Sequence, residues 1–276
     1  MEDPMPFLGV LLPAIVILIL AVVVGLQVKP RPFAPYRPAS GPVAEIPLPG
    51  GLPAPVERFF RTVYGDRIPV IRTVAITGRG RMRPFGIWLP ARYVWIHNAG
   101  TDYRHYFEAT LFGIPLLRVN EGYVGGESFF ESPMATLHDD PNTNQGANVA
   151  LWAEAGLFPA VWITDPRVHW TAVDGDTALL TVPYEDEEET FVVRFDTETG
   201  LVTTMEVMRY REAGEGQPKV LWITRNESGP SVPGLPISAV GSATWLDQGK
   251  PWAVFTLESI VTNVDVSQVI EARGTW

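Results

Sequence analysis

The sequence has no cysteine. That excludes a disulfide framework, a thiol nucleophile, thiolate-bound zinc and cysteine-ligated iron–sulfur clusters. Histidine is scarce too, with four in the chain. Basic residues are outnumbered: 21 Lys+Arg stand against 31 Asp+Glu, a formal charge of -10. Such a field repels nucleic acid, so no nucleic-acid partner is expected. There is no G-x-S-x-G elbow, no G-x-G-x-x-G and no P-loop, which removes the usual serine-hydrolase, dinucleotide and nucleotide-triphosphate sites. No cofactor is expected on these grounds. What is plentiful is punctuation: 25 Gly and 26 Pro among 276 residues suit many short strands joined by turns.

One long apolar run stands out. Phe7 to Val28 is 22 residues with a single polar side chain, Gln27. At about 1.5 Å per residue such a helix is about 33 Å long, enough for the hydrocarbon core. No face is polar, so it is not an ordinary core helix. Glu2 and Asp3 replace the basic n-region of a signal peptide, and no small-x-small site follows the run. The expectation is an uncleaved anchor over residues 7–28 that meets membrane lipid, kinked mildly at Pro13. Lys29, Arg31 and Arg37 follow it, which places the large domain on the cytoplasmic side by the positive-inside rule; with three charges carrying this, the extracytoplasmic side stays open. Residues 29–55 hold nine prolines, from Pro30 to Pro55, and read as a stiff polyproline spacer.

From residue 56 to 276 the pattern is that of an antiparallel β domain. Val56, Phe59, Phe60 and Val63 predict a short amphipathic helix behind Pro55. Strands are predicted over 91–97 and 103–110 as one hairpin, and over 114–119 and 123–130 as a second, turning at Glu121-Gly122. Further pairs meet at Asp174-Gly175 and Thr199-Gly200, and strands over 220–226, 237–245 and 252–264 complete the series. The fold class is mainly β: a curved antiparallel sheet or barrel. One helix, Gly146 to Gly156, interrupts the strands behind caps offered by Asn142, Thr143 and Asn144, and is expected to cover one face of the sheet.

Several stretches in this order resemble a known family. Leu52-Pro53-Ala54-Pro55-Val56-Glu57-Arg58 opens the domain, followed by Glu108, Gly113-Ile114-Pro115 and Gly122-Tyr123-Val124-Gly125-Gly126. Then come Leu151-Trp152-Ala153-Glu154-Ala155-Gly156-Leu157-Phe158-Pro159, Val168-His169-Trp170 and Phe195-Asp196. The order is similar to that of an uncharacterised bacterial family, domain of unknown function 6544, over roughly residues 52–265. The chain departs from it in fewer aromatics around Glu108 and a tryptophan-rich helix. The strand–helix–strand layout is in turn similar to the LolA/LolB lipoprotein carriers, which implies a curved sheet able to hold an acyl chain.

Candidate residues follow. Trp152 and Phe158 on the helix, and Arg79 and Arg81 on one strand face, are expected to bind ligand: the rings an apolar body, the arginines a phosphate or carboxylate headgroup. His97 and His105 share a hairpin near Asp102 and Glu108, His138 precedes Asp139 and Asp140, and together these could ligate a metal, with Glu154 as a base. No two histidines stand at a ligand spacing such as i, i+4 on a helix, and His138-Asp139-Asp140-Pro141 also reads as an ordinary turn, so no metal site and no catalytic residue is expected, and chelators should leave the melting temperature unchanged. Glu154 is expected to face water or to pair with Arg209 or Arg118. The function read from these features is a membrane-anchored binding module for an apolar or lipid-like ligand. The alternatives are an interaction subunit of a membrane complex with a membrane-protein partner, and a metal-assisted hydrolase using Glu154 with histidine and aspartate.

Overall fold

The computed structural model describes residues 5–39, 41–84 and 86–276, with side chains from residue 11 onward. An apolar helix, α1 (Met5–Gly25), contains Pro13 and leads into an extended stretch. It stops at Gly25, where the tip of a hairpin presses on the backbone. A Cβ there would lie 2.7 Å from Leu111 and Phe112, and the Phe112 amide donates to the Gly25 carbonyl at 3.0 Å. Glu2 and Asp3, and the side chains of residues 7–10, lie outside the described residues. Among those described, no helix is long and apolar enough to cross a membrane. The span expected over 7–28 therefore rests on the sequence alone.

The proline-rich stretch is extended, as its composition dictates, but its aromatic residues hold it against the domain. Phe33 lies under the Arg92 guanidinium at 4.3 Å and edge-on to Tyr106 at 5.9 Å. Tyr36 packs beside Trp276. Further on, β1 (Glu45–Pro47) pairs with β2 (Arg67–Pro69) on either side of α2 (Ala54–Tyr64). Proline cannot hold the chain off the sheet when interleaved rings gain burial by lying on it.

Among the described residues the remaining strands form one thirteen-stranded antiparallel sheet. A first meander runs through β3 (Thr73–Met82), β4 (Leu89–Asn98), β5 (Asp102–Leu111), β6 (Ile114–Val124), β7 (Glu127–Glu131) and β8 (Thr136–His138). The helix α3 (Pro141–Glu154) follows. A second meander runs through β9 (His169–Ala172), β10 (Thr177–Tyr184), β11 (Glu187–Phe195), β12 (Val202–Tyr210), β13 (Lys219–Asn226), β14 (Val240–Trp245) and β15 (Pro251–Thr262). β15 pairs with β3 and joins the two meanders. β8 and β9 end the sheet and do not pair with each other, so of the two expected forms the sheet is the open one, not a barrel. One predicted turn is displaced. β6 runs straight through Glu121-Gly122, and the chain reverses at Gly125-Gly126, whose φ of 64° and 90° favour glycine at both positions.

α3 starts five residues before the predicted Gly146. Asp140 caps it by accepting from the Thr143 amide at 3.0 Å, and Pro141 fills the first helical position. Every residue from Asn144 to Ala153 is buried, so its polar side chains need partners from the sheet. Asn144 accepts from the Ser128 amide on β7 (2.8 Å), and Asn148 donates to the Pro183 carbonyl on β10 (3.1 Å). Gln145 accepts from the Tyr210 amide (3.1 Å) and donates to the Met208 carbonyl (3.0 Å), both on β12. The helix is thereby stitched to both meanders across the concave face. Truncating one of these amides would strand a buried backbone group, at about 1–3 kcal/mol each.

Candidate functional site: a cleft with a histidine–glutamate cluster on its wall

Between the C-terminal end of α3 and the middle of the sheet lies a narrow cleft of about 110 Å³, open to solvent on one side. Its walls are large and apolar: Tyr93 and Trp95 from β4, Met205 from β12, Trp222 from β13, and Phe255 and Leu257 from β15. Tyr93 and Trp95 stack with centroids 4.4 Å apart, and Phe255 stands edge-on to Trp95 at 5.0 Å. The space exists because the chain entering β14 and the strand's first half carry only small residues on that side. Ala239, Gly241 and Ala243 line it at every second position, as strand pleating requires.

Polar chemistry enters where Glu154, the last residue of α3, reaches the cleft wall. Pleating puts Tyr93, Trp95 and His97 of β4 on the same face as Tyr103, His105 and Phe107 of β5. With Trp95 opposite His105 in the register, the two imidazoles are diagonal neighbours with centroids 5.6 Å apart. Glu154 Oε2 lies 2.9 Å from His105 Nε2 and 3.5 Å from His97 Nε2, and Glu121 Oε1 lies 3.5 Å from His105 Nδ1. Both imidazoles are buried. Burial pushes the Glu154 carboxyl above its usual range against the pull of His105. Burial likewise holds His97 well below the ordinary histidine value, and neighbouring His105 adds to that. For His105, burial pulls down, but the neighbouring Glu154 and Glu121 carboxylates outweigh it and raise the value.

The same pleating removes two acids that stand close to the histidines in sequence. Asp102 serves the hairpin turns, accepting from Asn98, Thr101 and the Gly125 amide. Glu108 lies on the convex face, bonded to Arg92, Tyr106 and Arg118. Glu154 pairs with histidine, not with the expected Arg209 or Arg118. Arg209 instead lies over the Trp222 ring at 4.4 Å.

A model of the family of unknown function DUF6544 matches residues 42–257. The chain belongs to that family. No curated protein matches the sequence. Among solved structures, the DUF6544 chain is similar to a LolA superfamily protein from Nitrosomonas europaea, with a TM-score of 0.48 at 9% identity over 80% of this chain and 99% of the other. It is also similar to a DUF1329 family protein from Desulfovibrio piger, with a TM-score of 0.39 at 11% identity over 72% and 89%.

The four ligand-binding residues expected from sequence occupy two separate places in the DUF6544 chain. Trp152 and Phe158 are buried in the core behind the cleft wall. Trp152 accepts at its carbonyl from the Trp162 indole at 3.2 Å, and Phe158 packs on the His97 ring at 5.1 Å. Arg79 and Arg81 lie on the convex face. Arg79 pairs with Glu258, Arg81 lies over the Trp88 ring at 5.7 Å, and both border a second cleft with Lys29 and Pro30 at the end of α1. The residues that sequence reasoning did not single out are Trp95, Trp222 and Phe255. Their signal is alternation: each is a large aromatic on a predicted strand, on the side that also carries the small residues of β14.

Proposed function

We propose that this DUF6544 chain is a membrane-anchored binding module whose concave cleft holds an apolar, lipid-like molecule. The observation that supports it most is the cleft itself: aromatic and aliphatic walls, small residues that keep it open, and polar groups, Glu154, Arg225 and Asn226 among them, along its lining. Ligand sites for apolar molecules have that composition, with few polar groups to fix orientation. Trp152 and Phe158 act from behind, as rigid packing under the wall. At the other end, the apolar residues 7–28 provide the anchor. The β5–β6 hairpin tip beside Gly25 adds Phe112, Ile114 and Leu116, all exposed, which suits the interface of a bilayer better than water. Arg79 and Arg81, next to Lys29, are then at the level of headgroups and can grip an anionic one.

The test is native mass spectrometry of the full chain purified in detergent and exchanged into a second detergent. A stoichiometric apolar adduct that survives the exchange is the expected result. A chain that is always free of adducts, even after incubation with a lipid extract, would contradict the reading.

A further inference from the structure

His97 is the buried polar group that the fold accounts for least. Its ring is fully buried, and neither Nδ1 nor Nε2 has a hydrogen-bond partner in the protein. Buried polar atoms are nearly always partnered, because desolvation alone is unfavourable. The ring rests on Phe158 and Tyr103, and Glu154 approaches its Nε2 to 3.5 Å. Glu154 Oε2 approaches His105 Nε2 to 2.9 Å, yet off the axis that a hydrogen bond needs, so these two atoms are unbonded as well. A simple His105–Glu154 ion pair therefore explains neither its own geometry nor the presence of His97.

A shared cation explains both. The three ligand atoms lie within 4.8 Å of one another. Tetrahedral zinc, with bonds of about 2.0–2.2 Å, spaces its ligand atoms by about 3.3 Å, and the separations of 2.9 and 3.5 Å bracket that value. Two imidazoles and one carboxylate form a known zinc donor set that leaves a fourth position for water or ligand, and Glu154 borders the cleft from which either would come. The supporting shell is present too. Glu121 lies 3.5 Å from His105 Nδ1, where it keeps the proton on that nitrogen and leaves Nε2 free to ligate. Charge agrees: Glu121 and Glu154 face a single nearby guanidinium, that of Arg209, so a cation is welcome. We infer that His97 Nε2, His105 Nε2 and Glu154 Oε2 bind one divalent transition-metal ion of the zinc class on the wall of the cleft, with Glu121 orienting His105 from behind. This inference does not depend on the apolar-ligand reading.

The test uses the full chain in detergent, stripped with a chelator, titrated with Zn²⁺ against a chromogenic competitor and in parallel with Co²⁺. The expected result is one ion per chain, with the intense visible bands of four-coordinate cobalt. His97→Gln and Glu154→Gln should each weaken binding at least a hundredfold. Glu121→Gln keeps all three ligands and should weaken it ten- to a hundredfold. His138→Gln and His169→Gln, which replace the other two histidines, should leave it unchanged. A chain that takes up no ion at micromolar Zn²⁺ overturns the inference. So does uptake that His97→Gln or Glu121→Gln leaves intact. If the ligand variants do not fold, Glu121→Gln decides alone, and unchanged affinity in that variant overturns the site.

Discussion

Filling the cleft from β14 separates binding from folding. Gly241 lies between Ala239 and Ala243 on the lining side, opposite Phe255 in the β14–β15 register. A Cβ added there meets nothing closer than the Arg225 carbonyl oxygen at 3.6 Å, an ordinary contact. Gly241→Phe therefore places a ring into the cleft without forcing the backbone. Replacing glycine within a strand gains about 0.5–1 kcal/mol in backbone entropy, and a cross-strand pair with Phe255 adds about 0.2–1 kcal/mol. The folded state should stay within about 1–2 kcal/mol of wild type. A ring in the cleft displaces about three methylenes of an acyl chain. At about 0.8 kcal/mol each, that is about 2.4 kcal/mol, or roughly fiftyfold in affinity. The assay is fluorescence titration of the full chain in amphipol with a fatty-acid analogue. Wild-type affinity in a folded Gly241→Phe chain would refute the placement of the ligand.

The converse variant is Trp152→Ala: a fully buried ring lost from the core should cost about 3–5 kcal/mol and lower Tm by about 6–20 °C, while probe affinity of the folded fraction stays within about threefold, and a selective loss of affinity would give Trp152 a direct role. Asp140→Ala removes the bonds to the Thr143 and Gly214 amides and should cost about 2 kcal/mol, read as a Tm lowered by about 4–8 °C; an unchanged Tm would count against the cap. His97 sets an acid limb: the unfolded chain takes up its proton near pH 6.5 and the folded chain, with a depressed value, does not, so stability falls as pH drops below 6.5 by up to about 1.4 kcal/mol per pH unit. His105 has the opposite sign, with a stabilising contribution complete below 6.5 and lost above it, so the wild-type advantage over His97→Phe should shrink between pH 6.5 and 5 in denaturant titrations; a constant difference would show that His97 takes up its proton in the folded state.

How much of this was legible depends on the range of the signal. The β4–β5 hairpin, the β11–β12 pair and the amphipathic α2 are local patterns, fixed by alternation, helical spacing and turn residues, and they stand within a few residues of where sequence reading puts them. The openness of the sheet is not local. It depends on β8 and β9 failing to meet, with a helix and its tail lying between them. The start of α3 lies ahead of its predicted position because Asp139-Asp140-Pro141 reads equally as a turn, and only burial of Asn144 and Gln145 makes it a helix entry. The site shows the same division. His97 and His105 are legible on one hairpin, but a ligand set drawn from two strands and a helix leaves no spacing motif in the sequence. The third member, Glu154, comes from the end of a helix 49 residues beyond His105, and nothing in the sequence marks its docking there. Pleat parity could have removed Glu108, an odd number of residues from His105, from the set at once.

The central claim is that the concave cleft is where an apolar molecule is held. Photo-crosslinking tests it directly: a fatty acid carrying a diazirine on its chain is bound to the full chain, irradiated, and the labelled peptides are mapped. Label concentrated on residues 202–205, 222–226 and 239–243 is the result this account predicts. Label confined to α1 and the 112–116 tip, with the cleft strands clean, would contradict it.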